Sequence, residues 1–285
     1  MFLSILIVFY NCEPSKSNTL MSLLDCNGVN KSIPSNIHIS LWNNGPKLWS
    51  NEIVISLVNV GFEIIQDINN APLGRVYNNF VNKNPSRRYV FLDHDTILNE
   101  TIWNVFLDDE VLIKIGTPII SCNGLNHFPV CRGKFTQGPF QPSDKVYSIG
   151  SGLVIGYEII SKFNREFGNL FDSRYALYGV DTTFFIRIHQ LKLASDLYVL
   201  PKLHHSLSRL ENEDIITKFF REKERSLEIG ITLRHYFSVG RLYGALRTGL
   251  ISLFTLRFRV LYYIFLGYYY GIHPRSNVNE TDDTD

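Results

Sequence analysis

The stretch YVFLDHDT, residues 89–96, joins a short apolar run to two acidic residues and is the strongest indication of the fold. Tyr89–Leu92 predicts a buried strand, and Asp93 and Asp95 follow where that strand ends. Side chains two positions apart on a strand point to the same face, so these carboxylates are expected side by side. Two adjacent negative charges repel each other unless a positive charge accompanies them. We therefore expect Asp93 and Asp95 to bind a divalent cation, Mn²⁺ or Mg²⁺; a solvated turn after the strand is the alternative.

Around this stretch, apolar β-rich runs alternate with helical patterns. The strand candidates are Ser4–Phe9, Ile37–Trp42, Gly61–Ile65 and Tyr89–Leu92, and the helical patterns between them are Thr19–Leu24, Ile53–Val60 and the surroundings of Gly74–Val81. This order predicts an α/β fold with a mostly parallel sheet and helices on both faces. Ligands of such sheets bind beyond the carboxyl ends of the strands. At these ends the chain carries Tyr10-Asn11, Asn43-Asn44-Gly45 and Asp93-His94-Asp95.

The composition is that of a globular protein without a strong charge bias. Of the 285 residues, 45% are hydrophobic and 19% are charged, which supplies a core and argues against extensive disorder. The net charge of +1 argues against a nucleic-acid-binding protein, because such proteins usually carry a basic excess. The four cysteines follow no pairing pattern, so we expect reduced thiols in the cytosol. Met1–Phe9 is apolar but short and lacks a basic start, so we expect a first strand there and no signal peptide.

A further carboxylate and two small residues follow later in the chain. Asp181 precedes the helical pattern Phe184–Leu191, where it either acts as a general base or caps the helix. Ser151 and Gly152 belong to a run of small residues, which either lets a ligand approach the backbone or forms a tight turn. Residues 121–147, rich in glycine and proline, predict a long loop over the site.

Two histidines come after these residues. His204 and His205 follow the apolar segment Leu197–Pro201 and either supply a late metal ligand or lie on the surface. The sequence does not decide between the two positions.

The last part of the chain has a different character. Glu211–Glu228 predicts a charged helix, and residues 229–279 then contain six arginines and no acidic residue. The arginines are Arg234, Arg241, Arg247, Arg257, Arg259 and Arg275. The longest uncharged runs, Thr248–Leu256 and Val260–Ile272, are shorter than the ~20 residues of a spanning helix. Their tyrosines and the arginines predict helices that rest on an anionic membrane surface; a helical pair packed on the catalytic domain or in a homodimer is the alternative. A polar tail, Glu280–Asp285, ends the chain.

Taken in order, these residues resemble the family 2 glycosyltransferases, which have a GT-A fold. The resemblance is to the rhamnosyltransferase-like members that build bacterial surface polysaccharides, and it covers Leu3 to Ser208. The residues that carry it are Tyr10-Asn11, Asn43-Asn44-Gly45, Asn70 to Asn78, Leu92-Asp93-His94-Asp95-Thr96, Ser151-Gly152, Asp181-Thr182 with Arg187, and His205-Ser206-Leu207.

The resemblance implies a role for each matching residue. Tyr10, Asn43 and Arg75 would surround the nucleotide base and ribose, with Asn11, Asn70, Ser151 and Gly152 also at the donor. Asp93 would approach the ribose or the metal, and Asp95 would be the main metal ligand. Asp181 would deprotonate the acceptor hydroxyl, which gives inversion at the anomeric carbon, and His205 would close over the metal or the diphosphate.

The resemblance also implies a substrate class and a domain arrangement. The donor would be dTDP-rhamnose or a UDP-hexose, and the acceptor a lipid-linked saccharide of O-antigen or capsule synthesis. Residues 1–210 would form the catalytic domain, with a nucleotide-binding half (1–95) and an acceptor half (96–210). Residues 211–285 would associate peripherally with the cytoplasmic face of the inner membrane.

Two alternatives stay open at this point. Asn43 and Val180 stand where the family usually carries acidic residues, which leaves room for a non-catalytic, membrane-associated assembly protein with a degenerate transferase fold. A phosphatase of the haloacid dehalogenase type would use Asp93 as nucleophile and Asp95 as acid. That class usually places its acidic pair near the amino terminus, whereas ninety residues precede it here.

Overall fold

The computed structural model describes residues 1–27, 33–205 and 214–277. The strands are β1 (Leu3–Phe9), β2 (Ile37–Asn43), β3 (Glu63–Gln66), β4 (Arg88–Asp93), β5 (Thr96–Ile97), β6 (Ile115–Cys122), β7 (Leu125–Phe128), β8 (Val130–Cys131), β9 (Lys134–Phe135), β10 (Val146–Tyr147), β11 (Leu153–Gly156) and β12 (Leu197–His205). The helices are α1 (Asn18–Asn27), α2 (Asn51–Val60), α3 (Leu73–Lys83), α4 (Glu100–Leu107), α5 (Tyr157–Phe167), α6 (Val180–Gln190), α7 (Ile215–His235), α8 (Val239–Phe254) and α9 (Phe258–Tyr270).

The central sheet has the strand order β3-β2-β1-β4-β11-β6-β12-β5, with β7 paired to β6. β1 pairs in parallel with β2 on one side and with β4 on the other, and β2 pairs in parallel with β3. β11 runs antiparallel between β4 and β6, so the sheet is mixed. The chain builds outward from β1 in one direction and then returns to place β4 on its other side. This reversal leaves a crevice at the carboxyl ends of β1 and β4, the usual ligand position in open α/β sheets.

Both faces of the sheet are buried, which explains why the strands are almost continuously apolar. In β1, Leu6 and Val8 pack against one core cluster, which includes residues of α3, α5 and α6. Leu3, Ile5, Ile7 and Phe9 pack against the other cluster, with residues of α1, α2 and α4. The alternation follows from the two-residue period of a strand. The prediction of an α/β fold with helices on both faces is confirmed.

The predicted elements are present, with shifted ends. The strand predicted from Gly61 begins at Glu63, because Gly61 has a φ of 109° and ends α2. The segment 121–147, predicted to be a loop, contains the short strands β7 to β10, of which β8, β9 and β10 form a separate antiparallel sheet. That part of the prediction was wrong, because strands of two to four residues are too short to show periodicity.

The C-terminal helices pack on the α/β fold through α7. Leu227 and Ile231 of α7 belong to the same core cluster as α3, α5 and α6. Two glycines bring α7 against α9: a Cβ at Gly230 would stand 2.1 Å from the Ile264 carbonyl oxygen, and one at Gly267 would stand 2.4 Å from that of Leu227. The helix predicted at Glu211–Glu228 begins at Ile215, is capped by the Asp214 side chain and continues to His235.

None of the helices in the described ranges is both long enough and apolar enough to cross a bilayer. The predictions for Ser206–Ser208, for Glu211 and for the tail Glu280–Asp285 concern residues outside those ranges.

Candidate active site

Asp93, Asp95 and His205 form a group that could hold a metal ion at the carboxyl end of β4. Each offers one ligand atom, and these atoms all lie within 4.8 Å of one another. His205 Nδ1 is 3.4 Å from Asp95 Oδ1, and His205 Nε2 is 3.9 Å from Asp93 Oδ2. The expected proximity of the two carboxylates is therefore present, and a histidine far away in the sequence joins them.

Strand pairing selects His205 over His204. β12 runs antiparallel to β5, with His205 opposite Thr96 and His204 opposite Ile97. Successive side chains of a strand point to opposite faces, so His205 turns toward the acidic pair while His204 is exposed. The choice that the sequence left open is made by this short pairing.

A chain of hydrogen bonds through Thr96 supports the group from behind. Thr96 Oγ1 lies 2.9 Å from His205 Nδ1 and 2.6 Å from Ser151 Oγ, and Ser151 Oγ accepts a hydrogen bond of 3.0 Å from the Asp93 amide. When His205 donates from Nδ1 to Thr96, its Nε2 keeps a lone pair on the Asp93 side, as a metal ligand requires. Thr96 is completely buried, so this support is shielded from water.

The charges of the group fit a cation. Burial and the negative charge of Asp95 together raise the pKa of Asp93 to about 7. His94 opposes this rise, while Asp181 adds to it. Asp95 Oδ1 is buried and receives no hydrogen bond from the described residues. A divalent cation would satisfy this oxygen and relieve the repulsion between the carboxylates.

Asp181 faces the same cleft from the first turn of α6. It is not the cap of that helix, because Gly179 occupies the N-cap position with a φ of 94°. Asp181 Oδ1 accepts a hydrogen bond of 2.7 Å from the Thr182 amide, and the Gly150 amide also donates to this carboxylate. Burial raises its pKa, and those hydrogen bonds oppose the rise. A partly exposed carboxylate with a raised pKa can accept a proton in a cleft.

Tyr77 of α3 connects Asp181 with the acidic pair. Its hydroxyl and the Asp181 Cβ approach the same point, each 3.9 Å from where a Cβ on Gly150 would stand. Burial raises the pKa of this phenol well above its usual value, and the charges of Asp93 and Asp181 both add to the rise. The charges of Asp181 and Asp93 therefore both act on the same buried hydroxyl.

The residues predicted at the nucleotide occupy the ends of β1 and β2. Tyr10 is 47% exposed directly after β1, so its ring is accessible. The Asn11 amide donates to the Gly45 carbonyl at 2.7 Å, which joins the two strand ends. Asn43 is buried and holds its own turn: its Nδ2 donates to Lys47 O and Gln66 Oε1, and its Oδ1 accepts from the Gly45 amide. Both the amide nitrogen and the amide oxygen of the Asn43 side chain are thus already hydrogen-bonded within the protein.

Asn70 and Arg75 lie next to these turns and contact the C-terminal segment. Asn70 has a φ of 53°, and its carbonyl accepts a hydrogen bond of 3.3 Å from Arg275. Arg75 Nη2 donates to the Ser276 carbonyl at 3.2 Å. No local pattern indicates that the residues around Arg275 return to this edge.

Ser151 and Gly152 have structural tasks at the start of β11. The Ser151 hydroxyl is part of the hydrogen-bond chain behind Asp93. Gly152 has a φ of 80°, and a Cβ there would stand 2.5 Å from Pro118 Cγ. Gly152 thus lies in a turn, one of the two interpretations of the sequence, and its packing against Pro118 leaves no room for a side chain.

Sequence reasoning missed four contributors: Thr96 as a support for His205, and Tyr77, Glu228 and Arg275 as neighbours of the site. The position of Thr96 directly after the acidic pair could have indicated that it supports the site. The other three come from segments whose local pattern indicates only a helix or an irregular end.

Comparison with solved structures finds the same fold in S. aureus TarS, a glycosyltransferase. TarS matches with a TM-score of 0.53 and 13% identity over 82% of this chain and 44% of TarS. TarS 1–349 in complex with UDP-GlcNAc matches with a TM-score of 0.53 and 14% identity over 89% of this chain and 76% of that one. TarS 1–349 in complex with UDP matches with a TM-score of 0.52 and 15% identity over 80% of this chain and 65% of that one.

The chain has a GT-A fold. It spans less than half of the longest TarS structure, and at this identity the similarity concerns the fold alone. No family model matches the sequence, and no curated protein matches it significantly. The neighbours therefore support the predicted fold without distinguishing the rhamnosyltransferase-like branch.

Proposed function

We propose that this protein is a metal-dependent, inverting glycosyltransferase that uses a nucleotide-diphosphate sugar. The observation that carries the proposal is the convergence of Asp93, Asp95 and His205 in the crevice between β1 and β4, opposite Asp181. On a GT-A fold this arrangement would place a bound cation and a base at one cleft. TarS, which shares the fold, binds UDP and UDP-GlcNAc, which supports a nucleotide-sugar donor.

Asp93, Asp95 and His205 would hold a divalent cation, Mn²⁺ or Mg²⁺, since two carboxylates and an imidazole suit such an ion. A cation bound there would neutralise negative charge on the diphosphate leaving group. The protein's own residues fix the ligands: Thr96 orients His205, and Ser151 holds the backbone of Asp93.

Asp181 would act as the general base. Its carboxylate would accept the proton of the acceptor hydroxyl while the hydroxyl oxygen attacks the anomeric carbon from the side opposite the nucleotide. The bond to the diphosphate breaks as the new glycosidic bond forms, so the configuration inverts. The raised pKa of Asp181 suits this task, because a more basic carboxylate accepts the proton more readily.

The donor would lie over the ends of β1 and β2. Tyr10 offers an accessible ring for the base, and Asn11, Asn70, Arg75, Ser151 and Gly152 stay proposed contacts of the donor. Because the Asn43 amide is already engaged in its turn, base recognition would rely on backbone groups and on Tyr10. Both dTDP-rhamnose and a UDP-hexose remain candidate donors.

We further propose a lipid-linked saccharide acceptor and attachment to the membrane surface through α8 and α9. These helices expose many large apolar side chains, of which Phe254 is 88% exposed. The helices pack against α7, whose Glu228 lies beside Asp181, so a bound membrane surface would be near the cleft.

The arginines of this region contribute less positive charge than their sequence suggests. Arg257 and Arg259 pair with Glu222, and Arg275 pairs with Glu224. Both acids lie upstream of the acid-free segment and reach it only in the folded chain. Insertion of the exposed apolar side chains of α8 and α9 would therefore contribute more to membrane binding than attraction of the arginines to anionic lipid.

A flotation assay tests the attachment. Liposomes of neutral lipid and of neutral lipid with anionic lipid are compared for the wild type and for Phe254→Glu. We expect recovery with both kinds of vesicle and a marked loss for the variant; equal recovery of the two proteins would contradict the attachment.

Calorimetric titration with UDP and dTDP, with and without Mn²⁺, tests the central proposal. The wild type should bind one nucleotide in a Mn²⁺-dependent manner, and Asp95→Ala should lose this dependence because a main ligand is gone. Glu52→Ala, an exposed acid in the first turn of α2, is the matched control and should bind like the wild type. If Asp95→Ala binds as tightly as the wild type, the metal assignment is wrong. Binding without turnover across many acceptors would favour the degenerate-fold alternative.

A further inference from the structure

A second carboxylate, that of Glu228, lies beside Asp181 and comes from the C-terminal helix α7. The approach is close because the residue before α6 has no side chain: a Cβ at Gly179 would stand 3.0 Å from Glu228 Cγ. Gly179 also has a φ of 94°, a left-handed conformation that glycine adopts without strain. The absence of a side chain at Gly179 therefore lets Glu228 lie at the edge of the cleft.

Thr182 links the two carboxylates. Its amide donates to Asp181 Oδ1 at 2.7 Å, and its hydroxyl can donate either to the same oxygen, 3.5 Å away, or to the Glu228 carboxylate. A single residue of α6 thus contacts both acids, and a movement of Glu228 would be passed directly to Asp181.

In the described part of the chain, burial and the neighbouring acid outweigh the groups that favour the ionised form of Glu228. Arg225 is the cation that acts on Glu228, and its guanidinium lies over the Tyr178 ring, 5.0 Å from the centroid. Burial and the charge of Asp181 raise the pKa of Glu228 to about 7, against the opposing effects of Thr182 and Arg225. Two interacting acids of this kind lose their protons in two coupled steps.

We propose that Glu228 is a positioning residue for Asp181: it holds the Thr182 hydroxyl and places a second negative charge beside the base. This inference rests on the proposed role of Asp181 as the base. The adjacent charge makes protonation of Asp181 more favourable, and the shared threonine fixes the direction of its carboxylate. The C-terminal helix thereby completes the transfer site as well as packing on the fold.

The first test needs neither donor nor acceptor. Protein labelled with ¹³C at the glutamate side-chain carboxyls is titrated by NMR, and the Glu228 signal is assigned by its loss in Glu228→Gln. In the wild type Glu228 should titrate well above an ordinary glutamate, and in Asp181→Asn its pKa should fall by about one unit, because the neighbouring charge is gone. Glu224 of the same helix, which pairs with Arg275, is an internal control whose pKa should be the same in both proteins. A Glu228 pKa that is the same in the wild type and in Asp181→Asn would overturn the inference.

The second test separates positioning from binding. Mn²⁺-dependent UDP affinity should be unchanged in Glu228→Gln, whereas kcat for the accepted donor should fall about tenfold or more at constant donor KM, as when a base is misplaced. Glu228→Asp should recover part of kcat, and Glu222→Gln should behave like the wild type. Unchanged kcat in Glu228→Gln would overturn the inference. A wild type that binds neither UDP nor dTDP would instead overturn the proposed function, and the NMR titration would still decide whether the two acids are coupled.

Discussion

The substitution Thr96→Val tests whether the hydrogen-bond chain behind the acidic pair supports a metal site. Valine has nearly the shape of threonine but lacks the hydroxyl that lies 2.9 Å from His205 Nδ1 and 2.6 Å from Ser151 Oγ. Because Thr96 is completely buried, water cannot replace the lost group without a rearrangement. His205 would then be free to rotate or to expose the wrong nitrogen to the cation.

The expected magnitudes follow from these two contacts. A buried polar group left without its partner costs about 1–3 kcal/mol, so the free energy of unfolding should fall by roughly that amount. Loss of a residue that orients a metal ligand usually weakens metal binding about 10- to 100-fold. The Kd for Mn²⁺ should rise within this range, which corresponds to about 1.4–2.7 kcal/mol.

Thr117→Val is the matched control. Thr117 is also completely buried, and its hydroxyl donates to Ser148 Oγ at the same distance of 2.6 Å. Chemical denaturation should show a similar loss of stability in both variants, whereas calorimetric titration with Mn²⁺ should show weaker binding only for Thr96→Val. Equal Mn²⁺ affinity in Thr96→Val and the wild type would refute the reasoning.

Three further predictions address the base, the pH dependence and the helix packing. Asp181→Asn should keep metal-dependent nucleotide binding and lose turnover by roughly 10²–10⁴, as expected for a lost general base; full turnover would assign the base elsewhere. The pKa of Asp93 is raised to about 7, so protons should compete with the cation below that pH. The Mn²⁺ affinity should therefore fall as the pH is lowered through 7 and level off above it. Calorimetry between pH 5.5 and 8.5 measures this profile, and an affinity that does not change with pH would contradict the prediction. Gly230→Ala should lower the free energy of unfolding by about 1–3 kcal/mol, because its Cβ would meet the Ile264 carbonyl. Gly244→Ala in α8, where a Cβ has open space, should instead stabilise the helix by about 0.5–1 kcal/mol. Similar melting temperatures of the two variants would contradict the close contact of α7 and α9.

The site has consequences for the alternatives that the sequence allowed. A phosphatase of the haloacid dehalogenase type would need Asp93 as a nucleophile, yet Asp93 lies in a group with Asp95 and His205 on a GT-A fold. The division of the chain near residue 210 stays a prediction, since residues 206–213 are outside the described ranges. The contact of α7 with the main core and with Asp181 shows that the two parts are physically connected.

Local pattern was sufficient for the sheet and for the acidic pair. The strands β1, β2 and β4 are apolar along their whole length because both faces of the sheet are covered, and such runs are visible in the sequence. The two carboxylates were visible directly after the apolar run, although Asp95 lies in the turn between β4 and β5, so that turn and not a strand period brings it beside Asp93. The strands within 121–147 were missed because each is too short to carry a period.

What the sequence determined by itself is therefore the α/β fold, the carboxyl-terminal edge of its sheet as the candidate site, and the acidic pair where β4 ends. The tertiary structure decided which histidine joins that pair, that Thr96 and Ser151 support it, that Glu228 lies beside Asp181, and that Glu222 and Glu224 neutralise arginines of the last helices. The physical reason is distance along the chain. Periodicity and capping are properties of neighbouring residues, whereas a partner 109 positions away, as His205 is from Thr96, is chosen by strand pairing and helix packing that no local pattern contains.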